Sequence, residues 1–190
     1  MTRLLTLLPL LLLAACSGDG WQSASRQPAG LAPDPSATPE AVIQVYGADA
    51  WGWRGWFALH TWIAVKPSRA AEYTVYEVIG WRTRRGLPAL RIARDLPDRR
   101  WFGAEPELLL DRRGPGVDRL IEQIDQAARH YPWKDEYRVF PGPNSNTFPA
   151  WIARQVPGLG LDLPLRAIGS GYARLAPAQH HSADKGVSGR

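Results

Sequence analysis

The sequence predicts an α+β domain with a small, mostly antiparallel sheet and two main helices packed on it. Alternating apolar residues indicate two consecutive strands over 56–66 and 71–81. Apolar residues at helical spacing indicate an amphipathic helix over 117–131. A further stretch, 137–156, begins as a strand and continues as a helix after a rigid Pro-Gly-Pro turn at 141–143.

In the first strand, the odd-numbered residues from Phe57 to Val65 are the more uniformly apolar and should face the core. His60 then lies on the other face, beside Trp62. The link over 66–70 is short enough to pair this strand with the second one as a hairpin, and Glu77 falls within that second strand. Residues 87–94 are predicted to form a third strand.

The rest of the chain alternates short elements with loops. Residues 107–110 are predicted to form a short helical piece, 137–140 a strand, and 159–172 a loop with at most one short strand. The amphipathic helix has Asp118 in its first turn and His130 in its last, which is the charge distribution that the helix dipole favours. That preference is a sufficient explanation for His130.

Pro149 locates the start of the second helix, because only the first turn tolerates a residue without an N–H group. The cap is therefore expected at Asn146 or Thr147. Ser145 then lies just ahead of the first turn, where free N–H donors and the helix dipole stabilise a negative charge near its oxygen. A nucleophile would benefit from this position. The alternative is that Asn144, Ser145 and Asn146 only cap the helix.

The first 16 residues resemble a bacterial lipoprotein signal peptide. Arg3 supplies a positive start, 4–13 is apolar but shorter than the ~20 residues of a membrane span, and Leu13-Ala14-Ala15-Cys16 resembles a lipobox. This resemblance implies an envelope protein held in membrane lipid through acylated Cys16, and Ser17 favours the outer membrane. The alternative is an ordinary signal peptide with an incidental cysteine.

Composition divides the remaining chain into three parts. Residues 17–40, rich in Gly, Ser, Ala and Pro, are predicted to be a flexible tether, 41–175 a single globular domain, and 176–190 a disordered tail. The His180-His181 pair in that tail lacks further ligands at a readable spacing. Because no metal or nucleotide motif is apparent either, we expect no cofactor.

Charge and aromatic content bear on the partner. The formal charge is +5, but the basic residues are scattered among 18 acidic ones, and we expect no nucleic acid as partner of an exported chain. An anionic envelope lipid or glycan is the more natural partner. Three of the nine tryptophans fall within 51–56, where exposed indoles would stack on sugar rings or lie at a membrane interface. The alternative is aromatic packing at the start of the first strand.

A hydrolytic function would depend on His60 and Ser145. A hydroxyl is a poor nucleophile until a positioned base removes its proton, so this pair is the minimum for hydrolysis or acyl transfer. Glu77, on the neighbouring strand, would orient the imidazole as third member of a triad. Backbone N–H groups near Asn146, with the amide of Asn144, would form an oxyanion hole.

Motifs spread over the whole predicted domain resemble an uncharacterised bacterial family known only as a domain of unknown function. That resemblance implies no activity. The motifs are ALHTW at 58–62, YEVIGW at 76–81, RWFG at 100–103, EPEL at 105–108, YRVFPGPNSNTF at 137–148 and LDLP at 161–164.

The chain is also distantly similar to circularly permuted papain-like proteins, which include deSUMOylating isopeptidases, lecithin retinol acyltransferase-like enzymes and permuted NlpC-type hydrolases. These carry an early strand histidine and a late Asn-Cys at a helix start, and the isopeptidase form Asn-Cys-Asn-x-Phe is similar to 144–148. Here Ser145 replaces the cysteine, and a serine must lose its proton during the attack itself. We therefore favour a non-catalytic binding or structural module. The alternative is a Ser/His hydrolase or acyltransferase acting on an envelope ester, amide or peptide.

Overall fold

The computed structural model describes residues 20–176. The predicted signal peptide with Cys16, and all but the first residue of the predicted tail, lie outside this range, so those predictions stand as predictions. Between residues 20 and 176, no helix is long and apolar enough to cross a membrane.

Five strands form one sheet in the spatial order β4-β3-β2-β1-β5, and every neighbouring pair is antiparallel. With the helices described below, this confirms the α+β class and the predicted pairing of β2 with β3. The strands are β1 Val42–Asp49, β2 Leu59–Lys66, β3 Thr74–Val78, β4 Leu90–Arg94 and β5 Glu107–Arg113.

Several predicted strand boundaries differ from the structure. β2 begins at Leu59 because Gly52–Trp56 forms a 3₁₀ helix, and β3 and β4 occupy only the middle and end of their predicted ranges. The prediction of a helical piece at 107–110 was wrong. Its leucines favour a helix, but the backbone of this stretch pairs instead with β1, the inner strand next to it, which the sequence analysis had not predicted.

The prediction of a strand at 137–140 was also wrong. The backbone N–H of Arg138 donates to the carbonyl oxygen of Pro143 at 2.7 Å, so this stretch folds back on itself. It therefore has no neighbouring strand, and forms part of the turn that leads into the last helix.

Both faces of the three inner strands β1, β2 and β3 are buried. Ile43, Val45, Ile63 and Val65 pack under two helices, while Tyr46, Trp62 and Val75 pack on the other face beneath irregular segments that include Trp101. The helices are a single turn α1 at Gly80–Thr83, the amphipathic α2 at Val117–Arg129, and α3 at Thr147–Gln155. α2 and α3 are the two main helices that the sequence predicts.

Part of the predicted tether lies against the domain. Pro28 forms a β-bridge with Arg99, the backbone N–H of Leu31 donates to the Asp98 carboxylate at 2.6 Å, and the Tyr73 hydroxyl donates to the carbonyl oxygen of Pro33 at 3.1 Å. A Pro-rich segment that lies extended on a surface costs little conformational entropy, since proline fixes its own backbone angle. Residues 28–33, which were predicted to be part of a flexible tether, are therefore bound to the surface of the domain.

Candidate functional site

His60 is the second residue of β2, at the end of the sheet where β1 and β3 finish. The residue is 5% exposed, and its ring lies flat on the indole of Trp101, with ring centroids 3.5 Å apart and an interplanar angle of 5°. The ring of Trp62 lies 5.9 Å away on the same face, as the strand alternation predicts. His60 is thus fixed by aromatic contacts on the face opposite α2 and α3.

The structure brings His60 next to Glu77, which is fully buried on β3. Nε2 of the imidazole lies 3.8 Å from Oε2 of Glu77, which is too long for a hydrogen bond. Two arginines hold the carboxylate instead: Arg91 Nη1 lies 2.8 Å from Oε1, and Arg99 Nη2 lies 2.5 Å from Oε2. The carboxylate is therefore positioned chiefly by these guanidinium groups, and Nε2 of His60 has no hydrogen-bond partner in the described chain.

Burial and charge set the protonation of this pair. Burial lowers the pKa of His60, and the effect outweighs the opposing one of Glu77. Burial also acts to raise the pKa of Glu77, but His60 and Arg99 outweigh it and place that pKa at about 2. At neutral pH the site therefore holds an ionised carboxylate beside a neutral imidazole, which is the form that a general base requires.

Ser145 lies two residues before the start of α3, and Asn146 between them is the residue at the N-cap, which is one of the two positions predicted. The capping hydrogen bonds come from a different side chain. Oδ1 of Asn144 accepts from the backbone N–H groups of Asn146 at 3.0 Å and Thr147 at 3.2 Å. This side chain closes the turn over the start of the helix and leaves Ser145, itself 5% exposed, inside it.

The two asparagine amides are fully used within the fold. Nδ2 of Asn144 donates to the carbonyl oxygens of Val139 at 3.0 Å and Ile168 at 3.1 Å, and Nδ2 of Asn146 donates to those of Leu59 at 2.9 Å and Ile168 at 2.8 Å. The side-chain groups predicted to support an oxyanion hole thus already hold three segments of the chain together.

Ser145 and the side chain of His60 lie on opposite faces of β2. The hydroxyl of Thr61 lies 3.3 Å from the carbonyl oxygen of Ser145 and 3.0 Å from Oδ1 of Asn146. Thr61 and His60 are adjacent in the strand, so their side chains point to opposite faces. Within residues 20–176 no hydrogen bond joins the Ser145 hydroxyl to His60, and the Ser-His pair stays a prediction.

A series of aromatic contacts leads from His60 to the surface. Trp81 stacks on Trp101, with the two ring centroids 5.5 Å apart, and Phe102 contacts both indoles edge-on. Trp51 in turn lies 5.3 Å from Phe102. Trp51 and Trp81 are exposed, so the buried histidine supports a cluster that opens to solvent.

Phe102 adopts a backbone φ of 50° in the turn of the RWFG motif. A bulky side chain in this left-handed region costs of order 1–3 kcal/mol and persists only where surrounding contacts hold it. Here Trp51, Trp81 and the guanidinium of Arg26, 4.5 Å from the ring centroid, supply them. In this turn the aromatic and cation–π contacts of Phe102 therefore outweigh the cost of its left-handed backbone conformation.

Large apolar side chains are exposed together at this end of the sheet, where β1 and β3 finish and β2, β4 and β5 begin. Trp56 is 88% exposed and Trp53 is 66% exposed, both in the loop between β1 and β2. We call this surface the aromatic end. It consists of Trp51, Trp53, Trp56, Phe57, Trp81, Phe140 and Leu165.

The sequence did not identify the arginines and the tryptophan that surround His60. Arg91, Arg99 and Trp101 come from β4 and the loop after it, and no spacing in the sequence connects them to β2. One signal was available: Trp101 belongs to the RWFG motif, which the family resemblance had already singled out without giving it a role.

Comparison with known proteins gives one match. A family model described as "Protein of unknown function (DUF3750)" matches residues 40–172. No curated protein and no solved structure matches the chain.

Proposed function

The chain belongs to this family of proteins of unknown function (DUF3750), and we propose that it is a lipid-anchored binding module of the bacterial cell envelope. The observation that carries the proposal is the aromatic end. Contiguous exposed apolar surface marks an interaction site, whereas singly scattered apolar residues are ordinary. Here Trp53 and Trp56 are exposed in the segment that follows Trp51, and Trp51 contacts Phe102 of the aromatic cluster around His60.

The chemistry of this surface suits a ligand of the envelope. Indole rings stack on sugar rings or lie among lipid head groups, and arginine side chains bind anionic groups. Arg54 lies between Trp53 and Trp56 in the chain, and Arg84 and Arg85 follow Trp81. The candidate ligands are therefore an anionic envelope lipid or a glycan, and we propose no nucleic-acid partner.

The lipobox resemblance supplies the anchor in this proposal. A diacylated cysteine holds a protein stably at a bilayer, whereas a single acyl chain is marginal. Cys16 is the only cysteine of the chain, and Ser17 favours the outer membrane as its destination.

Metabolic labelling tests the anchor. When the full chain is expressed in a bacterium with an outer membrane, we expect an alkyne-tagged palmitate to label it and the protein to fractionate with membranes. Cys16→Ser should abolish the label, while Ser17→Ala, which keeps the cysteine, should retain it. An equal label on Cys16→Ser would overturn the lipid anchor.

A second candidate function is a Ser/His hydrolase or acyltransferase. The neutral, buried imidazole of His60 beside an ionised Glu77 favours it. Ser145 lies ahead of a helix N-terminus at the same end of the sheet, on the opposite face of β2 from the His60 side chain. In this reading Ser145 is the nucleophile, His60 the base and Glu77 the group that orients it, with Asn144 and Asn146 as supporting residues.

A fluorophosphonate probe, which phosphonylates activated serine hydroxyls with loss of fluoride and leaves ordinary hydroxyls unmodified, tests this candidate. If the chain is a hydrolase, the probe should label the wild type and Ser68→Ala but not Ser145→Ala. Wild-type protein that stays unlabelled would remove the hydrolase and leave the binding module.

A further inference from the structure

We propose that the aromatic end docks on the surface of an anionic lipid bilayer, with its tryptophans among the lipid head groups. This inference rests on the proposed function, because it names the partner of the same surface. It does not require Cys16 to be acylated, since the contact is made by side chains of the folded domain.

The kinds of side chain exposed here suit a membrane interface. Trp53 and Trp56 project from the turn formed by the 3₁₀ helix Gly52–Trp56, and Leu165 beside it is fully exposed. The turn and Leu165 are held together, because Nη2 of Arg166 donates to the carbonyl oxygen of Gly55 at 2.7 Å. Tryptophan concentrates at membrane–water interfaces, where its ring is apolar and its N–H can still find a polar partner.

Positive charge accompanies these indoles. Arg84 and Arg85 are exposed in the turn after Trp81, Arg54 is half-buried between Trp53 and Trp56, and none of the three belongs to an ion pair within residues 20–176. The neighbouring carboxylate of Asp49 does not oppose them, since Arg166 binds it at 2.6 Å. Unpaired arginines beside exposed indoles are attracted to the phosphates of anionic lipids.

The path of the N-terminal segment brings a predicted anchor to the same end. The carbonyl oxygen of Ser25 accepts from the backbone N–H of Gly103 at 2.9 Å, and Arg26 lies over the ring of Phe102, which contacts Trp51 and Trp81. Cys16 precedes Ser25 by nine residues, which span at most about 30 Å when extended. A lipid on Cys16 would therefore keep the bilayer within reach of the aromatic end.

The shape of the surface favours a bilayer over a glycan. Trp53 and Phe57 meet at an angle of 53°, with centroids 5.5 Å apart, and Trp56 projects beside them. Trp53 and Phe57 therefore do not share one plane, and they do not form the flat platform on which a sugar ring stacks. Exposed rings tilted against each other fit a fluid interface, because lipids rearrange around them.

A fluorescent probe at one position tests the docking. We would place nitrobenzoxadiazole on Leu165→Cys in the full chain carrying Cys16→Ser, so that the introduced cysteine is unique. The matched control carries the probe on Ala71→Cys, an exposed residue between β2 and β3 at the opposite end of the sheet. Vesicles of phosphatidylethanolamine with phosphatidylglycerol are then compared with vesicles of phosphatidylcholine.

We expect the Leu165→Cys probe to shift to shorter wavelength with anionic vesicles, and the Ala71→Cys probe not to shift. Trp53→Ser with Trp56→Ser should weaken the apparent affinity about 10- to 100-fold. Arg84→Ser with Arg85→Ser should weaken it about 5-fold per arginine, for anionic vesicles alone.

Three results would overturn the proposal: no shift at either position, equal shifts at both, or a shift at Leu165→Cys that glycan fragments of the envelope cause and vesicles do not. Because the assay omits the acyl anchor, its outcome is independent of palmitate labelling at Cys16. A glycan response would overturn the bilayer as partner and leave the binding module standing.

Discussion

At the scale of single residues, Glu77 is the most constrained side chain of the site. It is completely buried, and its charge is compensated by Arg91 and Arg99, while the neutral imidazole of His60 lies 3.8 Å away. Burying such a carboxylate costs free energy. Removing one partner of the pair costs more, because the remaining charge is then buried without its counter-charge. The carboxylate therefore holds the arrangement under Trp101 whichever function the chain performs.

Replacing Glu77 with glutamine should destabilise the fold strongly. The change removes the buried counter-charge of Arg91 and Arg99 and leaves them only the half-buried carboxylate of Asp95, so we expect the free energy of unfolding to fall by about 3 kcal/mol. Glu72→Gln is the matched control, because Glu72 pairs with Arg94 at the surface, where an ion pair contributes about 0–1 kcal/mol. Urea unfolding measures both, and equal losses in the two variants would contradict this account of Glu77.

At the scale of elements, the turn before α3 shows how side chains replace regular structure. The cap was predicted at Asn146 or Thr147, and Asn146 does occupy it, but Asn144 makes the capping hydrogen bonds. Asn144 also depends on the backbone of Gly169, where a Cβ atom would lie 2.1 Å from Nδ2 of Asn144. The turn and the loop over 165–169 are therefore built around each other.

Two glycine substitutions separate this packing from backbone strain. Gly169 has a φ of 94° and Gly103 a φ of 89°, so alanine strains both to a similar extent, by about 1 kcal/mol. Only at Gly169 does the new methyl group also meet Asn144, whereas Gly103 has open space around it. We expect Gly169→Ala to cost about 1–3 kcal/mol more than Gly103→Ala in thermal or urea unfolding. Similar losses would show that Asn144 moves aside freely.

The elements also show how far the sequence predicts the fold. Period and turn chemistry predicted β2, β3, α2 and α3. β2 and β3 are as fully buried as β1, but the short link over 66–70 marks them as a hairpin. β1 has no such link to a predicted strand, and polar and apolar residues do not alternate along it. Residues 107–110 were predicted to be helical because their own sequence favours a helix, and they form a strand only through pairing with β1.

For the site, the sequence singled out polar residues that the structure shows to be buried, but it did not predict their partners. His60, Glu77, Asn144, Ser145 and Asn146 are all buried. Arg91, Arg99 and Trp101 reach His60 and Glu77 only through the order of the strands and the loop after β4, which no local pattern encodes. Long-range contacts of this kind depend on topology, and topology was predicted only for the β2–β3 hairpin.

At the scale of the whole molecule, the antiparallel sheet separates two ends of different character. The exposed residues of the aromatic end lie where β1 finishes at Asp49 and β2 begins at Leu59, and the start of α3 and residues 25–26 lie there too. The opposite end carries the β2–β3 link near Ala71. In a module that binds through the aromatic end, contact with the envelope should cover one end of the sheet and leave the other accessible.

Thiol labelling in native envelopes tests this central claim most directly. Leu165→Cys and Ala71→Cys, each in the full chain with Cys16 retained, are treated with a soluble maleimide, and labelling is read peptide by peptide. Each rate is divided by that of the same variant in urea. We expect Leu165→Cys to react more slowly than Ala71→Cys, and Trp53→Ser with Trp56→Ser to restore its rate. Equal rates at the two ends, unchanged by the tryptophan substitutions, would contradict the aromatic end as the binding surface.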